Sequence, residues 1–330
     1  MAPHDPNPVA QPNPAPVGSA QSVLAGGTQS ISGQALLLRS YSRFLFFLAV
    51  LVLCFFKPLI AAVRFANKSE LNSHILLIPF VVAYLVHLKR KELPSILRPA
   101  PLLGAILMAL ALIPLLLGQS MTDSNSPLSR YDYLTWDLFS FVLITIGGGF
   151  LFLGTAVMRL LAFPAAFLFF VVPLPSTFVH WTEVFFQYTS AEAANLFLGL
   201  SNTPFVREGG LLFHLPGITI QVAEECSGIR SSLVLFITSL LAGHLFLVTP
   251  WKKTVFALAV IPLGILRNGF RIATIAYLCA HISPSMIDSP IHHRGGPIFF
   301  ALSLGPFFVL LHYLRKSETA KNESKSIKNS

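Results

Sequence analysis

Long apolar runs, separated by short polar breaks, recur along the chain from about residue 44 to residue 314. Each run is close to the roughly 20 residues that an α-helix needs to cross the hydrocarbon core of a bilayer. The pattern predicts an all-α polytopic membrane protein with about eight transmembrane helices. These predicted spans cover residues 44–64, 71–88, 101–118, 137–156, 158–174, 229–249, 254–281 and 297–314.

The segment between the fifth and sixth predicted spans, residues 175–228, is the longest one outside the membrane apart from the termini. Its first part, FVHWTEVFFQYTSAEAANLFLGL, has an amphipathic pattern that favours a helix lying in the membrane interface. Its second part, PFVREGGLLFHLPGITIQVAEECSG, alternates apolar residues between Gly and Pro and therefore predicts a short hairpin. The hairpin would lead directly into Glu224-Glu225-Cys226 at the start of the sixth span.

Composition supports the same class of protein. Hydrophobic residues make up 54% of the chain and charged residues only 11%, and a water-soluble fold of this size could not bury that much apolar surface. We predict a single transmembrane domain over residues 41–315. The first 40 residues are rich in Pro, Gln, Ser and Ala and are expected to be disordered, and residues 316–330 form a polar tail.

The formal charge of +9 comes from short basic clusters between the apolar runs, so it indicates topology rather than nucleic-acid binding. Lys and Arg are retained on the cytoplasmic side of a membrane. With eight spans, four clusters fall on one side: Lys89-Arg90-Lys91 with Arg98, Arg159, Lys252-Lys253, and Arg315-Lys316 with the tail. We therefore expect both termini to be cytoplasmic and the 119–136 and 175–228 loops to lie outside. Arg64, Lys68 and Arg294 weaken this bias without reversing it.

Cys226 is the first candidate for chemistry, because it lies in a Cys-Ser-Gly turn just before a predicted membrane helix. Unpaired N–H groups and the positive end of the helix dipole favour a thiolate at such a position. Two acidic neighbours oppose this effect. The alternative interpretation is a buried cysteine that acts only as a small hydrophobic residue. Cys54 and Cys279 lie inside apolar runs, and the three cysteines suggest neither a disulfide framework nor a zinc site.

Arg271 lies within the apolar sequence LGILRNGFRIATIAYL, where an arginine is costly unless it faces a polar cavity or a partner. At 1.5 Å per residue from Thr254, it is roughly 26 Å along its helix, at a depth similar to that of Cys226. Arg267 is one helical turn deeper on a similar face. Either arginine could instead extend toward the lipid headgroups.

His292 and His293 lie in the predicted outside loop IDSPIHHRGGPIFF, where a histidine can exchange protons near neutral pH. Taken alone, each is an ordinary loop residue. Cysteine, arginine and histidine nevertheless come from three separate turns and are predicted at one leaflet. A nucleophile, a stabilising cation and a proton carrier are the groups that acyl transfer requires.

With these residues the chain resembles the exosortase/archaeosortase family of membrane transpeptidases. The resemblance covers about residues 65 to 315, and its combined motifs are specific. It rests on Val222-Ala223-Glu224-Glu225-Cys226-Ser227-Gly228-Ile229 with Arg230 and Ser231, on Asn268-Gly269-Phe270-Arg271-Ile272, on His292 followed four residues later by Gly296, on Ser73-His74 before LLIPFVVAYL, and on FPAAFLFFVVPLP.

The resemblance implies roles for the matching residues. Cys226 would be the nucleophile, Arg271 the stabilising cation and His292 the proton-transfer residue, with His293 replacing it if the register shifts by one. The family pattern selects Arg271 rather than Arg267, because its arginine comes three residues after the asparagine. Supporting roles are expected for Arg267, Glu224, Asn268 and His74.

The implied function is that of a bacterial sorting enzyme in the inner membrane, with its site at the periplasmic face. Its substrates would be exported proteins with a C-terminal Pro-Glu-Pro type motif, a membrane helix and a basic tail. The enzyme would cleave near the motif and pass the product to a surface acceptor, a lipid or a polysaccharide, without a metal ion or organic cofactor. A transporter or lipid flippase would also explain eight spans and intramembrane arginines. A structural scaffold would leave the grouping of Cys226, Arg271 and His292 unexplained.

Overall fold

The computed structural model of the protein describes residues 38–94, 97–122, 129–223, 227–291 and 295–328. The predicted disordered segment lies almost entirely outside this part of the chain. The helices are α1 Leu38–Cys54, α2 Phe56–Lys68, α3 Ile78–Lys89, α4 Pro101–Thr122, α5 Ser129–Phe152, α6 Thr155–Leu160, α7 Ala162–Phe167, α8 Ser176–Leu200, α9 Ile229–Phe246, α10 Pro250–Leu258, α11 Val260–His281 and α12 Gly296–Lys328. Short 3₁₀ segments are Glu70–Leu76, Arg90–Glu92, Leu168–Val171 and Pro284–Asp288, and the strands are β1 Val206–Glu208, β2 Leu212–Leu215 and β3 Ile218–Gln221.

The fold is that of an all-α polytopic membrane protein, as the hydropathy pattern predicts. Six of the predicted spans correspond to unbent helical segments that are long and apolar enough to cross a bilayer. They are Glu70–Glu92, Pro101–Ser120, Asp132–Phe152, Ile229–Phe246, Pro250–His281 and Gly296–Thr319. The last continues as a regular helix to Lys328, well into the predicted polar tail.

The other two predicted spans are not straight helices. Helices α1 and α2 meet at an angle of 71°, and the segment Ala162–Val171 meets α8 at 90°. If each bent pair counts as one span, the described chain has up to eight. Pro58 in the first turn of α2 lacks the N–H that would continue α1, and Pro173 and Pro175 separate Val171 from α8, so proline explains both breaks.

The chain forms two compact units. The first contains the residues up to Leu59, Pro79–Leu117 and Trp136–Phe169. Within it, α4 and α5 pack closely because glycine faces glycine: a Cβ added to Gly104 would lie 2.8 Å from the carbonyl oxygen of Gly147. Small residues at such contacts are typical of helices that associate inside a membrane.

The second unit contains Ile60–Ile78, Gly118–Thr135 and the chain from Phe170 onward. Its centre is the pair α8 and α11, which run parallel: Gly264 lies near Phe186, Gly269 near Ala193 and Phe270 near Phe197. A Cβ added to Gly269 of α11 would lie 2.4 Å from the Cβ of Ala193 on α8, so the two helices touch through their smallest residues. The helix predicted between the fifth and sixth spans is present as α8, and one of its faces packs on α11. Its place in the membrane interface stays a prediction.

The predicted hairpin is confirmed and extended by one strand. The three strands form an antiparallel sheet in the order β1-β2-β3. Pro216 and Gly217 form the turn between β2 and β3, and Gly217 has a φ of 80°, a conformation that side chains disfavour. Phe213, Leu215 and Ile220 are buried in a core with residues of α8 and α11, so one face of the sheet covers these helices.

One end of the second unit carries two of the basic clusters. Lys252 Nζ donates hydrogen bonds to Ser317 Oγ at 2.6 Å and to the Leu314 carbonyl at 3.2 Å. The backbone N–H groups of Val248 and Thr249 donate to the carboxylate of Glu318, at 2.9 and 2.8 Å. These bonds fasten the start of α10 to α12, and α9 ends at the same place.

Candidate functional site

The Cys-Ser-Gly turn ends at Gly228, which caps the N terminus of α9 in the left-handed conformation, with a φ of 80°. A Cβ at this position would lie 2.8 Å from Cγ of Asn268 on α11. Glycine is therefore required both by the backbone conformation and by the close approach to Asn268. Cys226 and its neighbour Glu224 lie outside the described residues, whereas Ser227 next to Cys226 is fully buried.

Arg267 is buried beneath this turn and is only 8% exposed. Its Nη2 donates to the carbonyl oxygen of Gly228 at 3.1 Å and to Ser232 Oγ at 3.4 Å. Its Nη1 is also buried and has no hydrogen-bond partner among the described residues. Arg267 therefore joins α11 to the first turn of α9 and to Gly228, the last residue of the Cys-Ser-Gly turn.

Asn268 and Arg271 lie on the same face of α11, because positions three apart on a helix are neighbours. Asn268 is almost completely buried at 2% exposure, and Arg271 is half-buried. Both line a cavity of about 120 Å³. Its other walls are residues 220–223, which lead from β3 toward Cys226, together with Ile272, Ile275 and Ile287.

The two arginines thus differ in their surroundings. Arg267 is engaged with the Gly228 carbonyl and Ser232, whereas Arg271 lines the cavity beside the chain that enters the Cys-Ser-Gly turn. The sequence indicated both residues but could not separate these environments, because they occupy similar faces one turn apart. The Gly228 carbonyl that Arg267 binds also accepts hydrogen bonds from Ser231 Oγ at 3.2 Å and from the N–H of Ser232 at 3.1 Å.

His292 and His293 lie outside the described residues. The chain on either side of them is described: the N–H of Gly295 donates to the carbonyl of Ile291 at 3.0 Å. Upstream, Ile287 in the 3₁₀ segment after α11 lines the Arg271 cavity, five residues before His292. The described chain therefore passes this cavity shortly before it reaches the two histidines.

His74 is not among the described residues that line the Arg271 cavity. Its Nδ1 is 3.0 Å from the carbonyl oxygen of Leu71, within the 3₁₀ segment Glu70–Leu76. The neighbouring Glu70 forms an ion pair with Arg230, in the first turn of α9. The structure thus connects this segment to the Cys-Ser-Gly region through Glu70 rather than through His74.

A second cavity of about 500 Å³ surrounds that ion pair. Sequence reasoning did not single it out, because its charged residues come from three distant segments. Its lining contains Lys68, Ser69, Glu70, Leu71, Glu183, Ile229 and Arg230. Ile229 and Arg230 directly follow Gly228, so this second cavity lies next to the end of the Cys-Ser-Gly turn. Within the described chain, no three His, Cys, Asp or Glu side chains are grouped closely enough to hold a metal ion.

The fold and these buried polar groups define a polytopic membrane protein with a polar site at the junction of α9 and α11. Residues 65–309, most of the chain, match the family model of the transmembrane exosortases (Exosortase_EpsH), and the chain belongs to this family. It is thereby a membrane enzyme of the peptidase/transpeptidase kind that acts on sorting signals, and this membership favours an enzyme over a transporter. Neither the curated proteins nor the solved structures compared with the chain gave a match.

Proposed function

We propose that the protein is a cysteine transpeptidase that cleaves a Pro-Glu-Pro type sorting signal near the C terminus of exported proteins. Its product would pass to an acceptor at the cell surface, a lipid or a polysaccharide. The observation that carries this proposal is the contact of Gly228 with Asn268 and Arg267, at 2.8 Å for an added Cβ and 3.1 Å for the hydrogen bond. It brings the turn that follows Cys226 against the face of α11 that bears Arg271.

Cys226 is the proposed nucleophile. It precedes the first residue of α9 by three positions, so the unpaired N–H groups and the positive dipole of this 18-residue helix favour its thiolate. Glu224 and Glu225 act in the opposite direction. The guanidinium of Arg271 supplies the compensating positive charge in a site with little water.

The reaction follows from these roles. The Cys226 thiolate attacks the carbonyl carbon of the scissile peptide bond, and Arg271 stabilises the negative charge that develops on the carbonyl oxygen. The C–N bond breaks, His292 gives a proton to the departing amine, and a thioester to Cys226 remains. An acceptor amine, or water, then attacks the thioester, loses its proton to His292 and releases the thiolate. His293 takes this role if the histidine of the family motif aligns one residue later in this chain.

Arg267 is a positioning residue in this mechanism. Its two hydrogen bonds to Gly228 and Ser232 fix the start of α9 relative to α11. A buried arginine is costly in a membrane helix unless its donors are used. The hydrogen bonds to Gly228 and Ser232 offset part of the cost of burying Arg267, and they hold the residues that follow Cys226 in place.

The site belongs at the periplasmic face and both termini in the cytoplasm, by the bias of the basic clusters. The contacts of the second unit support this orientation. Lys252 and Ser317 meet at the end of α9 that lies opposite Gly228. The 18 residues of α9 extend roughly 27 Å, close to the thickness of a bilayer core.

Processing of a co-expressed reporter tests the proposed nucleophile. The reporter carries a Pro-Glu-Pro motif, a membrane helix and a basic tail at its C terminus. Cys226→Ala should abolish its shortening at a normal protein level, because a methyl group cannot form the thioester. Cys54→Ala and Cys279→Ala, in an exposed and a buried cysteine respectively, should remain active. Normal shortening by Cys226→Ala would refute covalent catalysis by this residue.

Labelling of single cysteines in intact cells tests the orientation. In a protein whose natural cysteines are replaced by alanine, Ser124→Cys should react with a membrane-impermeant maleimide and Ser317→Cys should not. Ser317 is exposed to solvent, so lack of labelling there would reflect the membrane barrier rather than burial. Labelling at Ser317→Cys but not at Ser124→Cys would reverse the topology.

A further inference from the structure

The two edges of the small sheet differ in their protection. Strand β1, with the sequence Val-Arg-Glu, forms one edge and contains two charged residues, of which Arg207 donates to Glu192 at 2.8 Å. Strand β3, with the sequence Ile-Thr-Ile-Gln, forms the opposite edge and contains no charge or proline. Natural proteins normally protect exposed strand edges with such residues. The β3 edge lacks this protection.

The hydrogen-bond pattern identifies which main-chain groups lie at this edge. The N–H of Val222 donates to the carbonyl of Leu211 at 3.0 Å, which continues the β2–β3 pairing. In an antiparallel pair, the groups of alternate residues point toward the partner strand. The main-chain groups of Ile218 and Ile220 therefore face β2, and those of Thr219 and Gln221 face outward. Among the described residues, no main-chain hydrogen bond engages these outward groups.

The edge leads to the proposed nucleophile. Gln221, Val222 and Ala223 form one wall of the cavity that Arg271 lines, and Cys226 follows Ala223 by three residues. The chain is fixed at the exit of β3, because buried Gln187 donates from Nε2 to the Val222 carbonyl at 2.6 Å. The cavity has a volume of about 120 Å³, and most of the side chains that line it are apolar.

From this arrangement we infer that the sorting signal binds as an added strand along β3, paired with the main-chain groups of Thr219 and Gln221. The inference rests on the proposed function and names how its substrate is held. Main-chain pairing gives affinity without regard to sequence, and pockets beside the strand select side chains. An extended peptide at this edge presents one side chain to the Arg271 cavity and runs beside residues 221–223, which lead along the chain to Cys226.

Removal of one edge N–H tests the pairing. Gln221→Pro deletes an outward donor but leaves the bonds of Ile220 and Val222 to β2, and proline is tolerated on edge strands at such positions. Processing of the reporter should fall about 10-fold or more, because one hydrogen bond is lost and the ring obstructs the edge. Gln221→Ala keeps the N–H and should process at least several-fold faster than Gln221→Pro. Equal processing by the two variants at equal protein level would overturn the inference.

Disulfide cross-linking provides a second test that does not depend on turnover. The enzyme carries Gln221→Cys with Cys54, Cys226 and Cys279 replaced by alanine, and single cysteines are scanned along the reporter before its membrane helix. Strand pairing predicts cross-links at alternate reporter positions, because side chains of a strand alternate between its faces. Cross-links without alternation, or none, would contradict strand addition.

Different results would refute the proposed nucleophile and the proposed strand addition. If Cys226→Ala still shortens the reporter, the proposed nucleophile is wrong, whatever the cross-linking pattern. If Cys226→Ala is inactive but neither alternation nor a Gln221→Pro defect appears, the enzyme is a cysteine transpeptidase that holds its substrate elsewhere, and only the added strand is wrong.

Discussion

The α4–α5 pair of the first unit and the α9–α11 pair of the second unit are held together by different means. In the first unit, contacts between α4 and α5 are apolar and depend on Gly104 and Gly147, whose backbones touch. In the second unit, α9 and α11 are joined by polar groups: Arg267 bonds to Gly228 and Ser232, and Asn268 is buried against the same turn.

This difference indicates where chemistry is located. Apolar contacts between small residues are a common and inexpensive way for membrane helices to associate. Buried charged and amide groups are expensive there and are retained where they act on a substrate or fix a reactive turn. Under the proposed function, the first unit has a structural role and the second unit contains the catalytic site, a division that can be tested by mutation.

Among the variants that compare the two units, the largest effect is expected at Arg271. Lysine retains the charge but loses the planar set of donors and is more strongly hydrated, so Arg271→Lys should slow processing on the order of 10²-fold or more. Accumulation of unprocessed reporter is measured at matched enzyme levels, because a folding defect would otherwise resemble lost catalysis.

Arg267→Lys is the matched control, one turn away on the same helix. Lysine can still donate to one of the two acceptors, Gly228 or Ser232, so a milder loss is expected, together with some loss of folded protein. Near-normal processing by Arg271→Lys combined with inactivity of a well-folded Arg267→Lys enzyme would exchange the roles of the two arginines.

A smaller effect is expected at Gly228. In Gly228→Ala the new Cβ would meet Asn268 at 2.8 Å, and alanine would have to adopt a φ of 80°. Such strain displaces the Cys-Ser-Gly turn, and we expect about 10-fold slower processing. Gly199→Ala in α8, where the added Cβ meets no atom within 4 Å, is the control and should be silent. Equal activity of the two variants would mean that the turn is not held tightly.

The smallest effect on catalysis is expected in the first unit. Gly104→Ala places a Cβ 2.8 Å from the Gly147 carbonyl, so α4 and α5 must separate, at a cost on the order of 1–3 kcal/mol in stability. The yield of folded protein should fall, whereas processing per folded molecule should change little. Gly305→Ala in α12, which has open space, should alter neither. A catalytic defect of Gly104→Ala at full yield would remove the proposed division between the units.

The sequence allows most of the fold to be predicted, because lipid requires long apolar helices and hydropathy reports them directly. Hydropathy does not show where a predicted span bends. The predicted first and fifth spans have suitable composition, yet Pro58 and the Pro173–Pro175 pair bend them. The third strand was also missed, because the charged sequence Val-Arg-Glu of β1 lacks the apolar alternation of β2 and β3.

The candidate site is predictable in part. The position of Arg271 beside the chain that leads to Cys226 follows from counting residues along two helices. The role of Arg267 does not, since a hydrogen bond to the Gly228 carbonyl depends on the packing of α9 against α11. The polar cavity around Glu70 and Arg230 joins residues 160 positions apart, a contact that no local pattern contains.

The most direct test of the central claim is detection of the acyl-enzyme. Purified enzyme is mixed with reporter, quenched in acid, digested and analysed by mass spectrometry. The account predicts that the new C-terminal residue of the reporter is attached through a thioester to Cys226, that hydroxylamine removes it, and that Arg271→Lys accumulates much less of it. Attachment to another residue, or reporter cleavage with no adduct in wild-type enzyme and continued cleavage by Cys226→Ala, would contradict it.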